Sequence, residues 1–431
     1  MSEKMASEFP LIARIYIASS GKSIRRLTES SESPQEKSKR PISTQAVSEA
    51  QGLSTTQRVK HVARSCALAV KLPDWLQEYI GIKPPEPLQL CMHLAWHPST
   101  GQVALAETSS HVHVCDASNL SVRRAAQSAD NLQSELLLWH DIQQQVGALA
   151  WRPHSGQQLA VGCSNGVCLW SFGKCPAGAA PAQKVAVGGT FQTAWLSFLR
   201  AHQTGPVAAL AWHPNGHLLA AAVHHRPGFT IFDVSSGLTT PVAAGLMPVS
   251  LLSWAPNGEY LLEGSLEGSF RVWETHKWTD ALWTSQGAAQ PLCGAAWTPD
   301  SQALLVANKG SKQLVALYFT QKPPGMEAQT FPVSLPPSGE DAGSVEGFAW
   351  DAGRERLAVA LGGSERRIAV FAAAHKPILA LRLLGTIPLT SEGESDAAED
   401  SHHVALSFSA GGTLATQVAQ TKVELHACDK M

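Results

Sequence analysis

Leu210-Ala211-Trp212-His213-Pro214-Asn215-Gly216 is followed 42 residues later by Leu252-Ser253-Trp254-Ala255-Pro256-Asn257-Gly258. The same unit recurs as Leu94-Ala95-Trp96-His97-Pro98, Leu149-Ala150-Trp151-Arg152-Pro153 and Ala295-Ala296-Trp297-Thr298-Pro299. Two degenerate copies close the series, Phe348-Ala349-Trp350-Asp351-Ala352 and Leu406-Ser407-Phe408-Ser409-Ala410. Successive aromatic residues lie 55, 61, 42, 43, 53 and 58 positions apart. Such a floor with irregular excess is the mark of a repeat carrying loop insertions of varying length. Proline pre-sets the second position of the turn after each aromatic, and Asn-Gly tolerates positive φ. A short apolar run follows each turn, as in Leu218–Val223, Tyr260–Ser265 and Ala303–Asn308. A second turn then leads to another run, as in Phe229–Val234, Phe270–Thr275 and Leu314–Phe319. Three strands and a weakly written outer fourth, repeated seven times, spell an all-β, seven-bladed β-propeller.

The third strands end in Phe232-Asp233, Trp273-Glu274, Trp170-Ser171 and Cys115-Asp116, an aromatic or apolar residue before a polar one. His140 and His202 precede their tryptophans by 11 and 10 positions, where a WD repeat places Gly-His. These features read as seven degenerate WD repeats over residues 88–428, a WD40-type propeller. Seven positions form the structural repeat: Trp96, Trp151, Trp212, Trp254, Trp297, Trp350 and Phe408.

The N-terminal region has another character. Within residues 1–18, Leu11-Ile12-Ala13-Arg14-Ile15-Tyr16-Ile17 reads as a strand that could complete the last blade and close the ring. Residues 19–57 are serine-rich and contain no Phe, Trp or Tyr, so the segment is expected to be disordered. Over residues 58–87 the pattern turns partly helical, with Val59, Val62, Cys66, Ala69 and Val70 on one face and Pro73 as a stop. Asp74 and Gln77 form a capping-box-like pair for a second short helix that Gly81 ends. Within the propeller, 173–205, 320–344 and 385–401 read as insertions, the second with five prolines.

Composition narrows the function. The 431 residues carry 33 Lys and Arg against 35 Asp and Glu, a net charge of −2, which argues against direct nucleic-acid binding. No run of 18 apolar residues occurs, so no membrane insertion is expected. Eight scattered cysteines without C-x-x-C, and no secretory pattern in the first 30 residues, suggest a reducing compartment. Gly162-Cys163-Ser164-Asn165-Gly166 has the form of a nucleophile elbow but falls between two strand runs, where Ser-Asn-Gly makes a hairpin turn. Ser20-Gly21-Lys22-Ser23 lacks the upstream glycine of a phosphate-binding loop, that place being Tyr16. His111 and His113, His224 and His225, and His402 and His403 are paired without zinc spacing. No catalytic residue, metal or cofactor is expected. Glu36-Lys37-Ser38-Lys39-Arg40 is a short basic run, and Ser395 lies within the acidic stretch Glu392–Asp400 as a candidate phosphorylation site.

Of 13 tryptophans, Trp75, Trp139, Trp195, Trp278 and Trp283 stand outside the repeat positions, and Trp278 and Trp283 are the candidate partner-contacting aromatics. Leu251–Leu262, then Phe270-Arg271-Val272-Trp273-Glu274, Lys277-Trp278 and Trp283, and finally Gly294–Asp300, resemble successive blades of the aladin family of WD-repeat nucleoporins. Ala95–Pro98, Val112–Val114 and Val207–Trp212 fall in the same order. The likeness extends over roughly residues 58–428 and is specific within 205–300. It implies a non-catalytic scaffold of the nuclear pore complex at the nuclear envelope, monomeric within a larger assembly. Its partners would be other nucleoporins, including a transmembrane one that anchors it. The alternative is a generic WD40 adaptor such as a ubiquitin-ligase substrate receptor, although Trp273 is followed by Glu274-Thr275-His276 rather than W-D-x-R. A phosphoinositide-binding propeller would need F/L-R-R-G, and Glu365-Arg366-Arg367-Ile368 lacks the glycine.

Overall fold

The computed structural model describes residues 93–106, 110–117, 136–154, 156–164, 166–173, 181–187, 190–243, 247–284, 290–336, 343–351, 353–363, 366–376, 378–389, 405–419 and 422–427. The strand, disordered segment and helices expected before residue 88, and the acidic stretch around Ser395, lie outside them.

The described residues form a seven-bladed β-propeller. Blade one contains β1 (His93–Trp96), β2 (Gln102–Ala106), β3 (Val112–Asp116) and β4 (Leu136–Leu138). Blade two has β5 (Ala148–Trp151), β6 (Gln158–Cys163), β7 (Gly166–Phe172), β8 (Pro181–Val187) and β9 (Thr190–Arg200), in the order β5-β6-β7-β9-β8. Blade three is β10 (Val207–Trp212), β11 (Leu218–Val223), β12 (Phe229–Asp233) and β13 (Thr239–Val242). Blade four is β14 (Val249–Trp254), β15 (Tyr260–Ser265), β16 (Phe270–Glu274) and β17 (Thr279–Trp283). Blade five is β18 (Leu292–Trp297), β19 (Ala303–Asn308), β20 (Gln313–Phe319) and β21 (Ala328–Ser334). Blade six is β22 (Ser344–Asp351), β23 (Arg356–Gly362), β24 (Arg367–Ala374) and β25 (Ala380–Pro388). Blade seven shows three strands, β26 (Ala405–Phe408), β27 (Thr413–Ala419) and β28 (Lys422–Ala427).

Second and third strands are almost continuously apolar because both faces of a blade press on neighbouring blades. β15 is buried at all six positions and β7 at six of seven. The core is accordingly divided into slabs between sheets. Val161, Trp170, Val112 and Leu138 join blades one and two, and Leu305, Leu314, Val359 and Phe371 join blades five and six.

The expected insertion at 173–205 does add a strand, β8, outside the regular fourth strand β9. The other two need correction, since 320–344 contains the regular outer strand β21 and 385–401 begins with the end of β25. Apart from β4, outer strands bury little, so they lack the apolar signature. Four consecutive residues of β21, including Pro332, are exposed, and proline is tolerated there because an outer strand has no further ladder to serve.

Neighbouring first strands are joined by one repeated device. The indole Nε1 of Trp151 donates to Ala95 O (3.1 Å), Trp212 to Ala150 O (3.1 Å), Trp254 to Ala211 O (3.1 Å) and Trp297 to Ser253 O (3.2 Å). Trp96 donates to Ser407 O (3.2 Å), carrying the device across from blade one to blade seven. In every case the acceptor immediately precedes the aromatic of the previous blade. Trp350 Nε1 is buried without a partner, and Phe408 has no donor to offer.

Candidate interaction surfaces

After three of the repeat tryptophans, the next residue also reaches the following blade. The His97 ring meets Trp151 edge-on at 4.8 Å and His213 meets Trp254 at 4.6 Å. Their Nε2 atoms donate to Gly156 O (2.9 Å) and Gly258 O (3.2 Å). The Nδ1 atoms accept from backbone amides, those of Ser99 and Thr100 for His97 and that of Asn215 for His213. This arrangement requires the neutral Nε2–H tautomer. Arg152 at the same position lays its guanidinium over Trp212, 5.6 Å from the ring. The first-turn histidines are therefore structural latches.

Trp278 and Trp283 occupy different environments. Trp278 is only 4% exposed, held at φ +53° in the turn after β16, and packs against Trp254 within the slab between blades three and four. The cause is local. Glu274 accepts hydrogen bonds from the His276 and Lys277 amides, which folds the chain back and drives the indole inward. Trp278 thus serves packing, which corrects its place among partner-contacting aromatics. Trp283 pairs with Phe270 in register and stacks on it at 5.8 Å, remaining half-buried.

Among the remaining non-repeat tryptophans, Trp139 stands out. It is 40% exposed, with Leu137 (38%) and Ile142 (45%) close by in sequence, on the outer strand of blade one and the connection to blade two. The indole stacks on His111 with rings 6.2 Å apart and inclined by 15°. Beneath this apolar group lies a buried anchor. Gln143, 0% exposed, donates through Nε2 to Ser110 O and Leu138 O, while its Oε1 accepts from Trp170 Nε1 at 2.7 Å. All three bonds tie the 139–147 connection to blades one and two, and the stacking on His111 gives the Trp139 ring a support of its own. An exposed, preorganised Trp with aliphatic neighbours is the composition of a binding hot spot. Nothing in the sequence marked Gln143 as an anchor, since its role depends on a partner 27 positions away.

The remaining chemistry is structural. Gly162–Gly166 joins β6 to β7 as a hairpin turn and leads into no helix. Cys163 and Cys168 are buried with sulfurs 3.5 Å apart. Hydrogen bonding to Cys163, together with burial, raises the Cys168 pKa and keeps that thiol protonated. His224 and His225 rings lie 3.8 Å apart, and His224 is pushed down to about 4 by burial and then by the charge of His225. Glu263, buried on β15, accepts from Trp273 Nε1 at 2.8 Å. Among the described residues no cluster of three or more His, Cys, Asp or Glu could hold a metal, and no helix is long and apolar enough to cross a membrane.

The chain matches the family model described as WD domain, G-beta repeat, over residues 194–225, from the outer part of blade two into blade three. It is 30% identical to Aladin of Arabidopsis thaliana over 308 residues, 68% of this chain and 66% of that protein. A 70-residue stretch is 31% identical to the 66 kDa stress protein of Physarum polycephalum, covering 16% of this chain and 12% of that one. The chain thus spans just under two thirds of the Aladin relative's length. Among solved structures, a chain of the mitotic checkpoint complex superposes with a TM-score of 0.54 at 18% identity, over 78% of this chain and 86% of that one. The Cps50 (Swd1) propeller of Myceliophteria thermophila gives 0.53 at 12% identity, over 78% and 95%. At such identities these two establish likeness of fold alone.

Proposed function

Because this chain is an aladin-like WD-repeat protein, we propose that it is a non-catalytic scaffold of the nuclear pore complex. In this reading a transmembrane nucleoporin anchors it at the nuclear envelope, and it supports nucleocytoplasmic transport as one copy within a larger assembly. The observation that carries the scaffold role is the exposure of Leu137, Trp139 and Ile142 on and just after β4, in the stretch of chain that the buried Gln143 ties to blades one and two. A rigid ring with an exposed aromatic anchor is suited to holding a partner. The pore assignment draws on the aladin resemblance, whose Phe270–Glu274 strand, Trp278 and Trp283 fall within blade four.

Fluorescent tagging of the full chain in its own cells tests this reading. A punctate nuclear rim that survives removal of cytosol is the expected result, with a membrane nucleoporin recovered by affinity capture. Diffuse cytosolic or vesicular signal would overturn the pore assignment and leave the WD-repeat scaffold without an address.

A further inference from the structure

Cys163 and Cys168 stand at the closed end of the β6–β7 hairpin. The register places Cys163 opposite Gly166 and Cys168 opposite Val161, so the two share one face as diagonal neighbours. That face, with Trp170 on it, looks into the slab between blades one and two. The sulfurs are 3.5 Å apart, in van der Waals contact, and both residues are fully buried. Cys163 donates to Gly166 O at 3.4 Å, which leaves Cys168 as the donor between the sulfurs. That bond lowers the Cys163 pKa against the pull of burial and raises that of Cys168. One sulfur is thus prepared as a nucleophile, and the other lies within its reach.

The same hairpin end fastens the connection that follows Trp139. Ser164 N donates to Gln144 O at 2.7 Å, Ser164 Oγ to Gln145 Oε1 at 2.7 Å, and Gly147 N to Gly162 O at 3.0 Å. Trp170, on the cysteine face, donates to Gln143. A displacement of either cysteine is therefore passed to residues 143–147 by hydrogen bonds of its near neighbours. Diagonal positions across antiparallel strands have Cα atoms about 7 Å apart, the outer limit of what a disulfide spans. Bringing the sulfurs from 3.5 Å to a bonding distance of about 2 Å requires the hairpin end to draw in. A disulfide made this way is strained, and strained disulfides are the readily reduced, regulatory ones.

We infer that Cys163 and Cys168 are a reversible oxidation site, at which hydrogen peroxide forms a disulfide that draws in the hairpin end and loosens the 139–147 connection. This site is independent of the pore assignment. As thiols the two residues only pack. The Cys163 thiolate attacks one peroxide oxygen, the O–O bond breaks, and the departing hydroxide takes up a proton as water, leaving a sulfenic acid. The hydrogen bond that held the Cys168 proton is then gone. Cys168 attacks the Cys163 sulfur, and the S–S bond forms as the S–O bond breaks. The Cys168 proton leaves with the hydroxide as a second water. Two electrons have passed from the sulfurs to the peroxide, and a small thiol returns them through a mixed disulfide. Burial admits peroxide only as the hairpin end opens, so the reaction is slower than at an exposed thiolate.

Peptide mass spectrometry on the full chain tests it. The native protein is treated with excess hydrogen peroxide, and the remaining thiols are alkylated. The expected product is an intrachain Cys163–Cys168 disulfide, lighter by two hydrogen atoms and returned to the dithiol by glutathione. Amides of 139–147 should exchange about threefold faster in the oxidised protein, while β23 (Arg356–Gly362) keeps its rate. In Cys168→Ala, Cys163 should stop at the sulfenic acid and be captured by dimedone. Both thiols remaining open to alkylation in the unmodified protein would overturn the inference without requiring any variant to fold. So would a bond from either sulfur to Cys115 or Cys175, a bond that forms only in denaturant, or a disulfide that leaves exchange at 139–147 unchanged or slower.

Discussion

Trp96 Nε1 donates a 3.2 Å hydrogen bond to the carbonyl oxygen of Ser407, a residue 311 positions further along the chain. The bond that links consecutive first strands elsewhere in the ring here joins its first blade to its last. Its loss removes a link that no local stretch of chain can replace, because a contact of this sequence separation carries the loop-closure entropy of the whole ring.

Substituting Trp96→Phe keeps most of the packing and deletes the donor. The expected cost is about 1 kcal/mol, the usual net worth of a hydrogen bond, read as a lower chemical-denaturation midpoint with an unchanged slope. Trp212→Phe should behave alike. Trp350→Phe is the internal contrast, because its buried Nε1 has no partner. Relieving a buried unsatisfied donor should leave stability level or raise it. Equal losses at positions 96 and 350 would show that packing alone accounts for these residues.

Gln143→Leu tests the buried anchor. Leucine fills similar space but leaves Trp170 Nε1 without its 2.7 Å acceptor. About 1–3 kcal/mol should be lost, with faster amide exchange across 139–147 than across β23. A uniform change in exchange would place Gln143 in global stability and remove the case for local preorganisation.

How far the sequence disclosed the molecule depended on burial. β11, β15 and β19 run Leu218–Val223, Tyr260–Ser265 and Ala303–Asn308, the bounds their apolar runs predict. Strands buried on both faces must be apolar throughout, and prolines and glycines bound them sharply. Outer strands answer to water on one side, so β21 could pass for a proline-rich loop. Trp278 misled for another reason. Its position outside the repeat suggested exposure, but only the Glu274 turn reveals that the chain folds the indole under. Trp139 was visible as an aromatic outside the repeat, whereas its exposure depended on Gln143 being spent on the interior.

The exposed group should be separable from the fold. Trp139→Ser with Ile142→Ser removes apolar surface that packs little in the ring, so stability should stay within about 0.5 kcal/mol of the parent. Retention at the nuclear rim, or recovery of captured partners, should fall at least tenfold. Undiminished retention with an intact melting profile would exclude this surface as the docking site.

Acid sensitivity follows from histidines held neutral. Burial holds His93 down to about 4; burial, followed by the charge of His225, does the same to His224; and burial also lowers His213. The ordinary value is 6.5, so the unfolded chain binds more protons than the folded one between the two limits. Stability should be complete above about pH 6.5 and fall as the pH drops towards 4. Asp233 and Asp300 have lowered values and contribute to the loss only below their ordinary 3.8. His93→Leu should lessen the fall in melting temperature between pH 6.5 and 4, the remainder coming from His224 and His213, and should leave the loss below 3.8 unchanged. A profile flat over that interval in the unmodified protein would mean that these rings are not held neutral.

Gly258 joins backbone strain to the His213 latch. It sits at φ +77°, and a methyl group there would lie 2.4 Å from His213 Nε2, the atom that donates to its own carbonyl. Gly237 has nearly the same φ, +72°, with nothing within 4 Å of an added Cβ. Gly237→Ala therefore isolates the left-handed backbone penalty, about 1 kcal/mol. Gly258→Ala carries that penalty and also displaces the imidazole from Trp254, so a loss of about 2–4 kcal/mol is expected. Removing the ring first removes the clash. In a double-mutant cycle with His213→Ala, the second substitution should cost little more than Gly237→Ala does, giving a coupling of about 1–3 kcal/mol. Strict additivity would mean that the turn yields without touching the histidine, and that the latch between blades three and four is slack.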